Sequence, residues 1–176
     1  MQTCWKCGNK LQVIKDKPYH YVECGLNNVY LYGITQYECI ECGEAGPEIP
    51  RVGELHLLIG RNIVCQEEQL TGPEIRFLRK ELGLKGKEMA NLLSVAPETY
   101  SKWENSRGNI SGVYDMQLRL LYVLNAEDTV GKVLHKGIRF AHSLGRKKAK
   151  EKKKIEISAN EWLMPFKEPL FTERRC

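Results

Sequence analysis

Residues 85–105 decide the fold of the central part of the chain: Lys-Gly-Lys-Glu-Met-Ala-Asn-Leu-Leu-Ser-Val-Ala-Pro-Glu-Thr-Tyr-Ser-Lys-Trp-Glu-Asn. Met89, Leu92 and Leu93 have the i, i+3, i+4 spacing of a buried helix face. Pro97 lacks an amide proton and disfavours helix at the residue before it, but it suits the first turn of a new helix. The stretch therefore predicts a helix, a tight turn and a second helix.

The second helix has an inner and an outer face. Tyr100 and Trp103, at i and i+3, are its inward residues. The outer face holds polar side chains of the kind that reach base edges or phosphates in a major groove. These residues are Glu98, Thr99, Ser101, Lys102 and Asn105.

The stretch resembles the Xre or lambda-repressor-like helix-turn-helix family at Ala90, Val95, Tyr100, Trp103 and Glu104. It departs from that family at Lys85-Gly86, where Thr-Gln is usual, and after Glu104, where Gly is usual. The resemblance implies a DNA-binding domain over residues 72–125. We expect its DNA contacts to come from Glu98, Thr99, Ser101, Lys102, Asn105, Arg107, Lys85 and Lys87.

Two Cys-x-x-Cys-Gly motifs lie at residues 4–8 and 39–43, with 31 residues between the two cysteine pairs. In each motif the glycine allows the positive φ of a tight turn behind two thiolates. In a reducing compartment such pairs bind metal more often than they form disulfides. Four thiolates close a tetrahedral shell, so we expect one structural Zn²⁺ bound by Cys4, Cys7, Cys39 and Cys42.

The alternative for these motifs is a redox dithiol, which the presence of two similar knuckles disfavours. His20 and His56 are not needed as ligands beside four cysteines. The remaining cysteines do not fit the knuckle pattern, and we expect buried or incidental thiols at Cys24, Cys65 and Cys176.

The pattern predicts an α+β chain in four parts. Residues 1–65 form a zinc-binding module, with strands near 13–14, 19–24 and 29–32 and an exit helix over 51–65. Residues 66–71 are a polar hinge. Residues 72–125 are the all-α helix-turn-helix domain, closed by a helix that begins near Ser111. Residues 126–176 are a C-terminal extension.

The extension contains three features. An amphipathic helical period runs from Val130 to Leu144, and His135 and His142 near it are expected to be surface or packing residues. Residues 146–154 hold seven basic side chains in nine, which is either a solvated charge run or an arm that contacts the DNA backbone. A capping box at 158–161 precedes a short apolar segment that we expect to dock on a partner: Trp162, Leu163, Met164 and Phe166.

Charge is unevenly distributed along the chain. Residues 1–70 hold six basic and nine acidic side chains, residues 71–125 hold eight and six, and residues 126–176 hold thirteen and seven. The N-terminal part of the chain is therefore acidic, which favours binding to a basic protein. The C-terminal part is basic, which favours binding to nucleic acid. No apolar run approaches the ~18–20 residues needed to span a membrane, and no signal sequence is evident, so we expect a cytoplasmic protein.

The order of the two modules resembles the MqsA antitoxins, also called the YgiT-type zinc-finger family, over about the first 125 residues. The resemblance lies in residues 4–8, 37–44 and 72–124. It implies the antitoxin of a type II toxin–antitoxin module, whose zinc module binds an mRNA-cleaving toxin and whose helix-turn-helix dimerises on a palindromic operator. The family's base-reading Asn and Arg fall at Glu98 and Lys102 here, which implies a different operator.

A stand-alone regulator without a toxin is the alternative, because the C-terminal extension lies beyond the resemblance. We expect no enzymatic activity. The predicted zinc shell is closed, and no Ser/His/Asp or paired-carboxylate constellation stands out.

Overall fold

The computed structural model describes residues 3–15, 17–126 and 154–163. A small β module with the cysteine cluster comes first, and a helical region follows it. The α+β architecture predicted from the sequence is confirmed. The predicted helix over 130–144, with His135 and His142, lies outside the described residues, as do Cys176 and the basic run except Lys154.

The β module contains two small sheets. In the first, β1 (Leu11–Ile14), β4 (Gln36–Cys39) and β5 (Ala45–Pro47) are antiparallel, in the order β1-β4-β5. In the second, β2 (Tyr19–His20) pairs antiparallel with β3 (Val29–Tyr32). The strand predicted over 19–24 is shorter than expected, because a 3-10 turn at Val22–Cys24 follows β2.

The second sheet is completed from the far end of the chain. Strand β6 (Ile155–Ser158) lies parallel to β3, with Ile157 paired to Leu31. Trp162, just beyond it, is fully buried and donates its indole N–H to the Pro50 carbonyl at 3.1 Å. The expectation that this segment docks on a partner is therefore wrong for Trp162, which packs on its own chain; Met164 and Phe166 lie outside the described residues.

Five helices are described. They are α1 (Val52–Val64), α2 (Gly72–Glu81), α3 (Gly86–Leu92), α4 (Pro97–Glu104) and α5 (Gly112–Ala126). Helix α2 begins after Thr71, whose amide and hydroxyl both donate to Glu74 at 2.7 Å, so Thr71 is the N-cap of this helix.

Helix α1 belongs in sequence to the β module but packs against the helical region. Its buried residues share one continuous apolar core with α2 and α5. Gly60 allows this approach, since a Cβ there would lie 2.0 Å from the Tyr122 hydroxyl oxygen. His56 bridges the same junction, with Nε2 2.9 Å from the Tyr21 hydroxyl and Nδ1 2.9 Å from the Glu81 carboxylate.

Residues 66–71, where the sequence predicts a hinge, are held by a buried ion pair on α5. The Arg119 Nε lies 2.5 Å from the Asp115 carboxylate, and both side chains are 1 % exposed. The Arg119 guanidinium also donates to four backbone carbonyls, those of Ile63, Val64, Gln66 and Glu68. The other Asp115 oxygen accepts the Leu70 amide at 2.7 Å. The connection between the two parts of the chain is thus fixed at several points.

Candidate DNA-binding surface and metal centre

The turn between α3 and α4 has the geometry that the sequence predicts. Its chain reverses through Ser94, which has a φ of 54°, and the Val95 amide bonds back to the Ala90 carbonyl at 2.9 Å. Met89 and Ala90 are fully buried. Leu92, expected on the buried face, is 58 % exposed. Leu93, at i+4 from Met89, takes the inward position, because residues i and i+4 share a helix face.

Helix α4 is fixed from within by its two aromatic residues. Tyr100 and Trp103 are almost fully buried and meet edge to face, with ring centroids 6.0 Å apart. The Trp103 ring also lies 5.2 Å from that of Tyr114 on α5. Burial, together with the nearby Glu104 carboxylate, raises the pKa of the Tyr100 phenol, which therefore stays neutral.

The end of α4 is bound to α2 by polar contacts. Arg79 donates from Nε to the Glu104 carboxylate at 2.7 Å, and both side chains are largely shielded from solvent. Arg76 donates to the Glu104 carbonyl at 3.1 Å and to the Asn105 side-chain oxygen at 2.8 Å. Gly72 permits this contact, since a Cβ there would lie 2.7 Å from two carbonyl oxygens of α4. These bonds set the orientation of α4 on the domain.

The predicted DNA contacts fall into three groups. Glu98, Ser101 and Lys102 are exposed on α4, while Thr99 is half-buried. Asn105 is exposed, but its amide nitrogen donates to the Ser101 carbonyl at 2.8 Å, so part of its hydrogen-bonding capacity is used within the domain. The remaining three are basic and exposed beside the two helices: Lys85, Lys87 and Arg107. Their contact with DNA stays a prediction.

The four knuckle cysteines come together into one cluster. Their Sγ atoms all lie within 4.8 Å of one another, with Cys4–Cys42 at 3.6 Å and Cys7–Cys39 at 3.4 Å. A tetrahedral Zn²⁺ with Zn–S bonds of about 2.3 Å requires sulfur pairs about 3.8 Å apart. The sulfur set therefore fits a zinc-type site.

The two knuckles have matching backbone hydrogen bonds. In the first, the Gly8 amide bonds to the Cys4 carbonyl at 2.9 Å; in the second, the Gly43 amide bonds to the Cys39 carbonyl at 2.8 Å. Both glycines have positive φ, 75° and 69°. The repeated geometry shows that each Cys-x-x-Cys-Gly motif folds as one structural unit and presents two sulfurs to the same point.

Hydrogen bonding within the cluster separates the thiol pKa values. The backbone amide of Asn9 and the Cys39 thiol lower the pKa of Cys7 to about 7, which favours the thiolate that metal binding requires. The pKa of Cys42 is raised to about 12. The Glu44 amide lowers this pKa, but desolvation and the hydrogen bond to Cys7 together raise it more. A bound divalent cation would displace the proton that the Cys42 thiol retains.

The other candidate ligands lie elsewhere. His20 stacks on Tyr30 and bonds to the Asn27 carbonyl at 2.8 Å. Cys24 is buried and donates to the Tyr21 carbonyl at 3.1 Å, as expected for a buried thiol. Cys65 is disulfide-bonded, so the expectation of an incidental thiol is wrong there.

Comparison with known families gives one match: the helix-turn-helix family model matches residues 75–112. No curated protein and no solved structure matches the chain. The matched residues run from α2 through the turn and α4 to the start of α5. The match supports a DNA-binding transcriptional regulator of the Xre type. Among the described residues, no helix is both long and apolar enough to cross a membrane.

Proposed function

We propose that the chain is a sequence-specific transcriptional repressor that binds duplex DNA through α4. The observation that carries the proposal is the fixed presentation of α4, whose aromatic residues are buried and whose polar face is exposed. In this arrangement Lys102 donates to guanine or to phosphate, and Glu98 accepts from the cytosine amino group. Phosphate contacts from Lys85, Lys87 and Arg107 fix the position of α4 on the duplex.

A single α4 of eight residues reads only a few base pairs. Two copies related by a twofold axis read two half-sites about one helical turn apart, which multiplies affinity and specificity. We therefore propose a homodimer on a palindromic operator. Helix α5 is the proposed contributor to the dimer, and Val113 in its first turn is 60 % exposed.

We further propose that the zinc module gives the repressor a second role, as the antitoxin of a type II toxin–antitoxin module. Residues 1–70 have a net charge of −3 from six basic and nine acidic side chains, and four thiolates with one Zn²⁺ add −2. Such a surface repels DNA and attracts a basic protein. A basic ribonuclease toxin, the partner that the family resemblance implies, has this chemistry.

The alternative is a stand-alone zinc-containing regulator. One observation favours it: residues 154–163 lie beyond the family resemblance, yet β6 forms an integral strand of the zinc module. In that case the zinc module is a stabilising part of the repressor and has no toxin partner.

Co-expression with the product of the adjacent reading frame tests the two roles. The proposal predicts a stoichiometric complex on size-exclusion chromatography, one zinc per chain by elemental analysis, and specific retention of the upstream DNA. A dimer that binds the upstream DNA, contains one zinc per chain and does not bind the second protein would support the repressor role and exclude the antitoxin role. A zinc-loaded chain that binds no DNA in preference to unrelated sequence would overturn the repressor role, and the absence of the complex as well would overturn both roles.

A further inference from the structure

One face of the zinc-module sheet β1-β4-β5 is apolar. Val13, Tyr37 and Gly46 stand opposite one another across the three strands, so their side-chain positions share a face. Leu11 is two residues from Val13 on β1 and lies on the same face. The Trp5 ring covers the position of Gly46, where a Cβ would lie 3.2 Å from the indole edge. We call the Leu11, Val13, Tyr37 and Trp5 side chains the apolar face.

The apolar face is exposed to solvent. Trp5 is 63 % exposed and Val13 is 51 % exposed, so more than half of the surface of each residue is open to solvent. Trp5 lies within the first knuckle, between Cys4 and Cys7, whose backbone is fixed by its own hydrogen bonds and by the sulfur cluster. The indole therefore starts from a rigid backbone, which reduces the entropy lost when it becomes buried against a partner.

Two acidic side chains lie near residues of the apolar face. The Tyr37 hydroxyl donates to the exposed Glu48 carboxylate at 2.8 Å. The Glu44 carboxylate forms an ion pair with Lys6 Nζ of the first knuckle, at 3.1 Å. Residues 1–50 hold four Lys and no Arg against six acidic side chains, before the negative metal centre is counted. Two copies of such a surface repel each other, and nucleic acid is repelled as well. The charge therefore favours a partner with basic side chains.

We propose that the apolar face is the docking surface of the zinc module, and that its occupant is a protein with an apolar patch ringed by Lys and Arg. This inference rests on the proposed antitoxin function, and it assigns the face through which that function acts. Trp and Tyr at the centre of a patch with a polar rim are the residue types that dominate interface energies. Trp5 is the anchor of the surface, and Glu44 and Glu48 steer the encounter.

Intrinsic fluorescence tests this assignment in the full chain. Of the three tryptophans, Trp103 is 6 % exposed and Trp162 is fully buried, so acrylamide quenches chiefly Trp5. The adjacent-frame product is purified in a tryptophan-free form as the probe. Binding should protect Trp5, and the quenching constant should fall severalfold on complex formation. The Trp5 signal of the free chain should be readily quenched.

Substitutions inside and outside the apolar face test the same assignment. Trp5→Ser should weaken the complex about thirtyfold, as expected for an interface anchor. Val13→Ser should weaken it several-fold, whereas Val22→Ser, at an equally exposed valine outside the apolar face, should leave it unchanged. All three variants should retain one zinc per chain and the wild-type unfolding midpoint, which excludes a folding defect.

The outcomes separate the two proposals. If the complex forms but Trp5 stays quenchable and both apolar-face variants bind normally, the docking surface lies elsewhere and the antitoxin function stands. If the wild-type chain forms no complex, the antitoxin function fails and the docking proposal fails with it. Protection of Trp5 in the free chain, whether by a second copy or by the chain's own basic residues, would also overturn the proposed occupant.

Discussion

The buried Arg119–Asp115 pair offers the sharpest stability prediction. We expect Arg119→Met to remove the ion pair and four hydrogen bonds to backbone carbonyls while keeping an apolar side chain of similar length. Asp115 then remains buried with the Leu70 amide as its described donor. Removing one partner of a buried pair costs about 3–5 kcal/mol, and orphaned carbonyls add to it. The expected loss is about 5 kcal/mol, a large fraction of the stability of an ordinary domain.

Urea unfolding measures this loss, with circular dichroism reporting the helices and zinc release reporting the metal module. The two probes should give coincident transitions in the wild type, because α1 and residues 66–70 tie both parts to Arg119. Asp115→Leu combined with Arg119→Met should recover part of the loss, since removing both charges is far less costly than removing one. Exposed Arg107→Met is the control and should change stability by less than about 0.5 kcal/mol. A loss below 1 kcal/mol for Arg119→Met, or separated transitions in the wild type, would refute the coupling.

Three further substitutions test individual contacts. Trp162→Ala should cost about 3–5 kcal/mol in thermal or urea unfolding, because it empties a fully buried site and removes the bond to Pro50; a near-neutral result would mean that β6 does not dock as described. Gly72→Ala should cost about 1–3 kcal/mol and weaken DNA binding, since its Cβ would press on the carbonyls of Trp103 and Glu104. Unchanged DNA affinity in that variant would show that the end of α4 adapts freely. Cys39→Ser should abolish zinc retention and lower the unfolding midpoint of the helices as well; helices that unfold at the wild-type midpoint would show that the two parts are independent.

Local patterns in the sequence were sufficient for much of the fold. The two Cys-x-x-Cys-Gly motifs and the Ala90-to-Trp103 spacing each depend on residues within one turn or one helix pair, where side-chain periodicity and glycine conformations are decisive. Exit helix α1 follows from the same periodicity, and its observed limits lie within one residue of the predicted ones at each end.

The long-range features were not predictable in this way. Strand β6 pairs with β3 across more than a hundred residues, and four residues of alternating sequence do not specify their partner. Residues 66–71 are polar and were therefore predicted to be a hinge. Two of their carbonyls and one of their amides are bound by Arg119 and Asp115, which are distant in sequence. Leu92 shows the limit of periodicity itself, because it lies on the other side of Met89 from Ala90 and Leu93, at the edge of the face that these residues bury.

The central claim is that α4 reads DNA, and operator binding by Lys102→Ala tests it most directly. Sites are selected from random duplexes with the wild-type chain, and affinities are then measured by anisotropy at one fixed salt concentration, with exposed Lys10→Ala as the control. The account predicts a palindromic site and a loss of about 1–3 kcal/mol for Lys102→Ala, with relaxed preference at one position of each half-site and no change for Lys10→Ala. The account would be contradicted if Lys102→Ala bound the selected site with the same affinity as the wild type, or if the wild type selected no sequence.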